Sequence, residues 1–444
     1  MGDTTDTPRL DIVSTIQARI AEIARKHPHT SLTALNHYLT AELLGEAYRQ
    51  LRKDAAPGID GKTTREYGAT LENRLTELID EIKSGRYRAT PARRGYIPKP
   101  GRDEKRPLGI PVVEDKLVEK AVAMILGPIY EQEFYPFSYG FRPGVGALDA
   151  TRALGAAIRE TGTTWIVEVD IRKFFDTLSH RHLREFLRQR VRDGVILRLI
   201  GKWLKAGVME AGAWQATEEG APQGGVISPL LANIYLHEVL DKWFARDIQP
   251  RLKGRCFLIR YADDFVMGFE QEEDARRVME VLPKRFGRFD LSLNMQKTRV
   301  VDFRKPDRTD KQPDSFDFLG FTHYWGRSRN GRLIHKLKTA KDRLARSCRA
   351  VWEWCRKHRH WPIPEQRQRL NGKLRGHYGY YGMTHNLRAL RQYYLQVRLT
   401  WRYWLNRRGG KPMNWECFES MLQRNPLSPP RIVHDLYRPC QCSV

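Results

Sequence analysis

The sequence predicts an α+β fold, with helices packed behind a small antiparallel sheet and a basic, helical region after it. Three stretches carry this reading. Thr163 to Asp170 (TTWIVEVD) has the β-branched content of a buried strand. Cys256 to Phe269 (CFLIRYADDFVMGF) reads as two apolar strands joined by a tight turn at Ala262-Asp263-Asp264. After Gly331 the texture changes to long helices rich in Arg and Lys.

Taken in order, residues 1 to 85 read as helices, with Leu71, Leu75, Leu78, Ile79 and Ile82 at helical spacing and a turn at Pro57-Gly58-Ile59-Asp60-Gly61. YIPKPGRDEKRPLGIP (Tyr96 to Pro111) predicts two short strands around a basic turn, then a helix over Lys116 to Leu126. In TTWIVEVD the two-residue period puts Ile166, Glu168 and Asp170 on one face and Val167 and Val169 on the other, so Asp170 ends the strand. The CFLIRYADDFVMGF hairpin presents both of its aspartates at the tip. Helices over Leu183 to Val191, Pro229 to Arg246 and Glu272 to Phe286 flank these strands. In the carboxyl-terminal region, Trp361-Pro362-Ile363-Pro364 and Gly379 to Gly382 separate helices. From Asn386 to Arg407, Leu387, Leu390, Tyr394, Val397, Trp401 and Trp404 form one stripe, read as packing rather than base stacking, and Arg388, Arg391, Arg398 and Arg402 form the adjoining one.

The 444 residues include 77 Lys or Arg and 52 Asp or Glu, a net +25. Such an excess repels itself unless a polyanion neutralises it, so nucleic acid is the expected partner. The charge is uneven: residues 331 to 444 carry 24 basic and 6 acidic side chains, leaving +7 for residues 1 to 330. No apolar run of membrane-spanning length and no secretory signal is visible, which predicts an intracellular, cytoplasmic protein with no membrane partner. Cys256, Cys348, Cys355, Cys417, Cys440 and Cys442 make no CxxC pair and no zinc spacing.

Asp170 at a strand end and Asp263-Asp264 on a hairpin tip are three acids that one sheet can bring together. Two adjacent aspartates repel each other unless cations lie between them. Oxygen ligands favour magnesium, and a pair of such ions suits phosphoryl transfer to a nucleotide 3′-hydroxyl.

Eight blocks, in order, carry a resemblance: APGIDG (Ala56 to Gly61), RPLGIP (Arg106 to Pro111), SYGFRPG (Ser138 to Gly144), VDIRKFFDTLSH (Val169 to His180), PQGGVISPLLANIYL (Pro222 to Leu236), RYADDF (Arg260 to Phe265), LNMQKT (Leu293 to Thr298) and FLGF (Phe318 to Phe321). From about Thr33 to about Pro426 the sequence resembles group II intron-encoded reverse transcriptases, also called maturases. The resemblance implies a right-hand polymerase: fingers and palm over residues 1 to 330, the palm core at about 146–180 and 222–325, and a basic helical thumb and maturase domain over 331–444. It implies an RNA-directed DNA polymerase with two Mg2+ ions, for which Mn2+ can substitute, held by Asp170, Asp263 and Asp264. Its partners would be group II intron RNA or another RNA template, a DNA primer or target, and deoxynucleoside triphosphates (dNTPs).

The resemblance also assigns the triphosphate contacts to Lys99 and Arg106, with Arg102 and Lys105 as alternatives in the same turn. Phe175 is the expected steric gate against a ribose 2′-hydroxyl, Gln223 packs beside the sugar, and Lys297 lies near the leaving pyrophosphate. Arg142 is read either as a template contact or as a loop-shaping residue. Arg388, Arg391, Arg398 and Arg402 are expected to meet nucleic acid. Some members of the family continue into a Cys- and His-rich endonuclease, and the form expected here lacks it. Two other readings stay open: an intron-free relative acting in phage defence or DNA repair, and a splicing maturase that mainly binds RNA.

Overall fold

The computed structural model describes residues 8–28, 30–98, 105–221, 224–306 and 314–438. At its centre is a four-stranded antiparallel sheet in the order Cys256–Tyr261, Asp264–Phe269, Trp165–Val169, Arg299–Asp302. Alternation sorts the side chains of the middle strand to two faces. Ile166 joins Phe257, Ile259, Val266 and Val301 in a cluster with Ala150, Leu154 and Ile158 of the helix Ala147–Thr161. Val167 and Val169 join Leu258, Phe265, Met267 and Phe269 in a larger core that includes Val278, Leu282 and Phe286 of the helix Glu272–Gly287.

Both faces are therefore covered, where the sequence suggested helices behind one. This explains why the strand is apolar on both sides, as strands buried on both faces are. Its one charged residue, Glu168, sits on the Ile166 face near the sheet edge, pairing with Arg299 and accepting from the Asp317 amide.

A second sheet is built on the antiparallel pair Ala92–Pro98 and Lys105–Ile110, extended by Val208–Glu210 and Ala213–Gln215. The helix Val113–Tyr130, packed against Pro8–Lys26 and Ala41–Gln50, is buried on nearly every side, so that Leu117, Val118, Ala121, Val122 and Ile125 join the core and even Asp115, Lys116 and Glu119 are buried.

Two expectations change. The helix expected over Pro229 to Arg246 is α-helical only over Ser228–Leu236 and then widens into two π-turns, His237–Asp241 and Phe244–Ile248. The expected cut after residue 330 falls in the turn between Phe321–Arg327 and Leu333–Thr339, which pair along seven positions. Helices begin only at Lys341: Lys341–Lys357, Ile363–Tyr381, Leu387–Leu405 and Trp415–Arg424 surround their own core of Val351, Leu374, Leu390, Val397, Trp401 and Phe418. Within Leu387–Leu405 the buried tyrosine is Tyr393, with Tyr394 half-exposed, so the packed stripe is rotated by one residue from the one expected at that point.

Candidate active site

The hairpin turn is two residues long, because Tyr261 pairs directly with Asp264. Ala262 takes the left-handed conformation, φ +56°, which costs an L-residue energy and persists only if its surroundings enforce it. Arg260 does so from inside the protein. Its guanidinium is completely buried, donates to both oxygens of Asp241 (2.8 and 2.5 Å), and gives Nη1 to Asn233 Oδ1 (3.0 Å) and to the Ala262 carbonyl (3.1 Å). Asn233 in turn donates to the Gly140 carbonyl. Gly140 packs so closely that a Cβ there would lie 2.1 Å from the Ala262 nitrogen. A buried ion pair, an amide and a glycine thus fix the backbone that presents Asp263 and Asp264.

Asp170 reaches the same point from the neighbouring strand. The last pair of that ladder is Val169 with Phe265, so one position further Asp170 faces Asp264. Directly opposed residues on antiparallel strands have Cβ atoms roughly 4.5 to 5.5 Å apart. Desolvation by the surrounding cleft, with the Asp263 and Asp170 carboxylates adding repulsion, pushes Asp264 up to about 6 from 3.8, although the residue is itself exposed at the mouth of the cleft. Burial also raises Asp263, against a counter-pull from Arg106, which places that guanidinium within electrostatic reach of the hairpin.

Asp170 is held from the LNMQKT block. Its amide donates to Thr298 Oγ1, its carbonyl accepts from the Asn294 amide, and its carboxylate accepts from Asn294 Nδ2 (2.9 Å) and from Lys297 Nζ (3.2 and 3.3 Å). Among the described residues no three acid, His or Cys side chains are gathered closely enough to hold a metal as they stand. The donor chemistry nevertheless fits a divalent cation: three carboxylates on adjoining positions, repelling one another, with one lysine ammonium as the positive charge against Asp170.

Phe175 lies in the one-turn 3-10 helix Phe174–Asp176, with Phe174 buried and Phe175 half-buried beside it, ring centroids 5.4 Å apart. Its carbonyl accepts from the Ala221 amide (2.8 Å), which ties it to the approach of the PQGG loop. Gly224 of that loop lies where a Cβ would come 2.5 Å from the Gly109 carbonyl, so the loop abuts the strand Lys105–Ile110. Lys99, Arg102 and Gln223 fall outside the described residues. Lys105 and Arg106 stand exposed at the start of that strand.

The arginines divide. Arg142 is turned inward, bonded to Glu131 and to the carbonyls of Tyr135 and Ser138 and lying over the Phe134 ring, so it shapes its loop; the structure gives no support to the template contact. Arg388 and Arg391 are exposed, whereas Arg398 pairs with Glu419, and Arg402 bonds the Met413 carbonyl and covers the Trp415 ring. The sequence reading missed Arg260, Asp241, Asn233, Gly140 and Asn294. An arginine inside CFLIRY, otherwise apolar but for its terminal tyrosine, was the one available signal.

Residues 97–323 match the family model for reverse transcriptase (RNA-dependent DNA polymerase). Protein YkfC of Escherichia coli K12 is 36% identical over 364 residues, covering 72% of this chain and 91% of YkfC. The group II intron-encoded protein LtrA of Lactococcus lactis is 33% identical over 300 residues, 65% of this chain and 50% of LtrA. A 91 kDa protein in the cob intron of Schizosaccharomyces pombe is 38% identical over 174 residues, 38% of this chain and 21% of that one. The chain belongs to the reverse transcriptase family and is related to the proteins encoded within group II introns. Its mixed α/β architecture with small antiparallel sheets is that of a right-hand polymerase.

Proposed function

We propose that the chain copies RNA into DNA at the cleft beside Asp170, Asp263 and Asp264, and that it binds group II intron RNA as a maturase in splicing and retrohoming. The register position of Asp170 opposite Asp264 supports the first part, as does the raised pKa of Asp264, which burial causes first and the neighbouring Asp263 and Asp170 carboxylates increase. In this reading the three carboxylates bind two Mg2+ ions, or Mn2+ in their place. When bound, such a pair lowers the barrier by activating the primer 3′-hydroxyl and neutralising the leaving pyrophosphate.

The chain's own groups do the rest. Arg106, with Lys99 or Lys105, grips triphosphate oxygens. Phe175 excludes a 2′-hydroxyl by its volume, and Gln223 packs beside the sugar. Lys297 supplies a proton from Nζ towards the departing pyrophosphate. The residues up to Thr339, with the hairpin of Phe321–Arg327 and Leu333–Thr339 kept whole, act as fingers and palm, and the basic helices from Lys341 as thumb and RNA-binding arm, with Arg388 and Arg391 exposed on it. No helix among the described residues is long and apolar enough to cross a membrane.

Primer extension on an RNA template with magnesium tests this reading. The double substitution Asp263→Ala, Asp264→Ala is expected to abolish extension and leave RNA binding intact. Extension that survives at the wild-type rate would overturn the assignment.

A further inference from the structure

Thr164 leads into the strand Trp165–Val169 and Asp170 leaves it, so the two lie about 20 Å apart at a strand's rise per residue. Beside Thr164 is a cavity of about 360 Å3, a volume suited to a small ligand. Its walls come from the end of the helix Ala147–Thr161, from the hairpin of Phe321–Arg327 and Leu333–Thr339, and from Tyr437 in the segment that follows the last helix. It shares no lining residue with the cleft that holds Asp264.

One wall is polar and unsatisfied. His335, 3% exposed, lines the cavity, and its Nε2 lies 3.0 Å from Nδ1 of the buried His323. Burial keeps both rings neutral, holding His335 down to about 3 and His323 well below its ordinary value. Two neutral imidazoles carry two N–H groups, and the bond between them uses one. His335 Nδ1 and His323 Nε2 are left over, one a donor and the other an acceptor, and neither has a partner among the described residues. Buried polar atoms are seldom left so.

The aromatic walls are fixed in place. Trp325 donates Nε1 to the Phe303 carbonyl (2.8 Å), which pins the indole. Tyr437 is 45% exposed yet held three ways: its hydroxyl meets His385 Nε2 (2.7 Å), its amide donates to Asp435 Oδ1, and the Arg159 guanidinium lies 4.8 Å from its ring centre.

The charge is one-sided. Arg159 and Lys305 line the cavity, both exposed, and no acid does. Of the acids close to them in sequence, Asp302 pairs with Arg304, and Glu160 is not among the lining residues. Aromatic walls suit a flat ring. The orphaned nitrogen suits a polar ring edge, and two cations suit a phosphate monoester, which carries close to two negative charges near neutral pH.

We infer that this cavity binds a nucleoside 5′-monophosphate, its base against Trp325 and Tyr437 with a polar edge towards His335, and its phosphate at Arg159 and Lys305. The site is separate from the polymerisation cleft and does not depend on the reaction proposed there. A nucleotide in it ties together a helix behind the central sheet, the hairpin that leads into the helix Lys341–Lys357, and the segment after the last helix.

Isothermal titration of the full chain without magnesium, with AMP, GMP, CMP and UMP as probes, tests this. At least one is expected to bind saturably at a single site, with its nucleoside weaker by about tenfold or more for want of the charge-assisted phosphate contacts. Inorganic phosphate should be weaker by a similar factor for want of the stacked ring, roughly tenfold. Arg159→Gln and Tyr437→Ala, both at exposed positions that the fold does not need, should each weaken the nucleotide by about tenfold. Arg106→Gln, in the proposed triphosphate grip, should bind it as the parent does.

The inference fails if none of the four monophosphates binds saturably, or if inorganic phosphate binds as tightly as they do. It fails equally if Arg159→Gln and Tyr437→Ala bind like the parent, or if Arg106→Gln abolishes binding, since the nucleotide would then sit in the carboxylate cleft.

Discussion

Lys297 and Asp170 are 3.2 Å apart, ammonium nitrogen to carboxylate oxygen, on segments separated by 127 residues in sequence. Both side chains are partly exposed, so the pair itself contributes no more than about 1 kcal/mol to folding. Lys297→Ala should therefore leave the urea midpoint almost unmoved while slowing primer extension at least tenfold, as expected for loss of a positioned proton donor. A stability loss in proportion to the activity loss would make the lysine structural.

The Arg260–Asp241 pair has the opposite character, with both partners inaccessible to water. Removing one partner of a buried pair leaves an uncompensated charge, a loss of about 3 to 5 kcal/mol. Asp241→Asn should show this in urea unfolding. An apolar double replacement, Arg260→Met with Asp241→Leu, should recover much of that stability but not extension, because the Ala262 carbonyl still lacks its donor. Recovery of both would show that Arg260 only holds the core.

At Gly140 the contact is backbone against backbone. A methyl group placed 2.1 Å from the Ala262 nitrogen cannot be accommodated by rotating a side chain. Gly140→Ala should displace the Asp263-Asp264 turn and reduce extension strongly with RNA binding retained. Gly127→Ala is the control: a Cβ there meets nothing within 4 Å and lies in a helix, where Ala is favoured over Gly by about 1 kcal/mol.

These supports were hidden for a physical reason. Strand and hairpin were legible because β-branched runs and a two-residue period are local signals. Arg260, Asp241, Asn233 and Gly140 meet across sequence separations of 19, 27 and 93, and no periodicity records a long-range hydrogen bond. The strand Leu333–Thr339 was lost for a different reason. In LIHKLKT, His335, Leu337 and Thr339 point inward and Lys336 and Lys338 outward, but the basic composition masked the alternation. Arg142 belongs to the SYGFRPG motif, yet only the structure shows its donors already taken by Glu131 and two carbonyls.

Phe175 stands half-buried in the middle of the short turn Phe174–Asp176, whose other ring, Phe174, is fully packed. Removing the packed ring would cost several kcal/mol, and removing the outer one much less. Phe175→Ala should therefore fold, and it should raise ribonucleotide incorporation relative to deoxynucleotide by at least about tenfold, the scale of discrimination that side-chain volume gives. Unchanged sugar discrimination in competing extension reactions would remove the gate from Phe175.

Glu119 lies inside the helix Val113–Tyr130, buried, accepting from the amides of Val226 and Ile227 that follow the PQGG loop. Burial pushes its carboxyl up to about 7 from 4.5, with Asp115, itself raised to about 6 by burial, adding repulsion. The folded state thus holds the proton more tightly than the unfolded chain. The stability this gives is complete below about pH 4.5 and is lost as pH rises through 7, a change of roughly 3 kcal/mol for a shift of this size. Glu119→Gln keeps an acceptor for the loop amides and removes the titration. Its unfolding free energy should fall less steeply between pH 4.5 and 7 than that of the parent, the remaining slope belonging to Asp115, and urea unfolding at several pH values measures the difference. Parallel pH profiles would mean that Glu119 stays charged in the folded protein, and the amides of Val226 and Ile227 would then be held by a carboxylate rather than by a neutral acid.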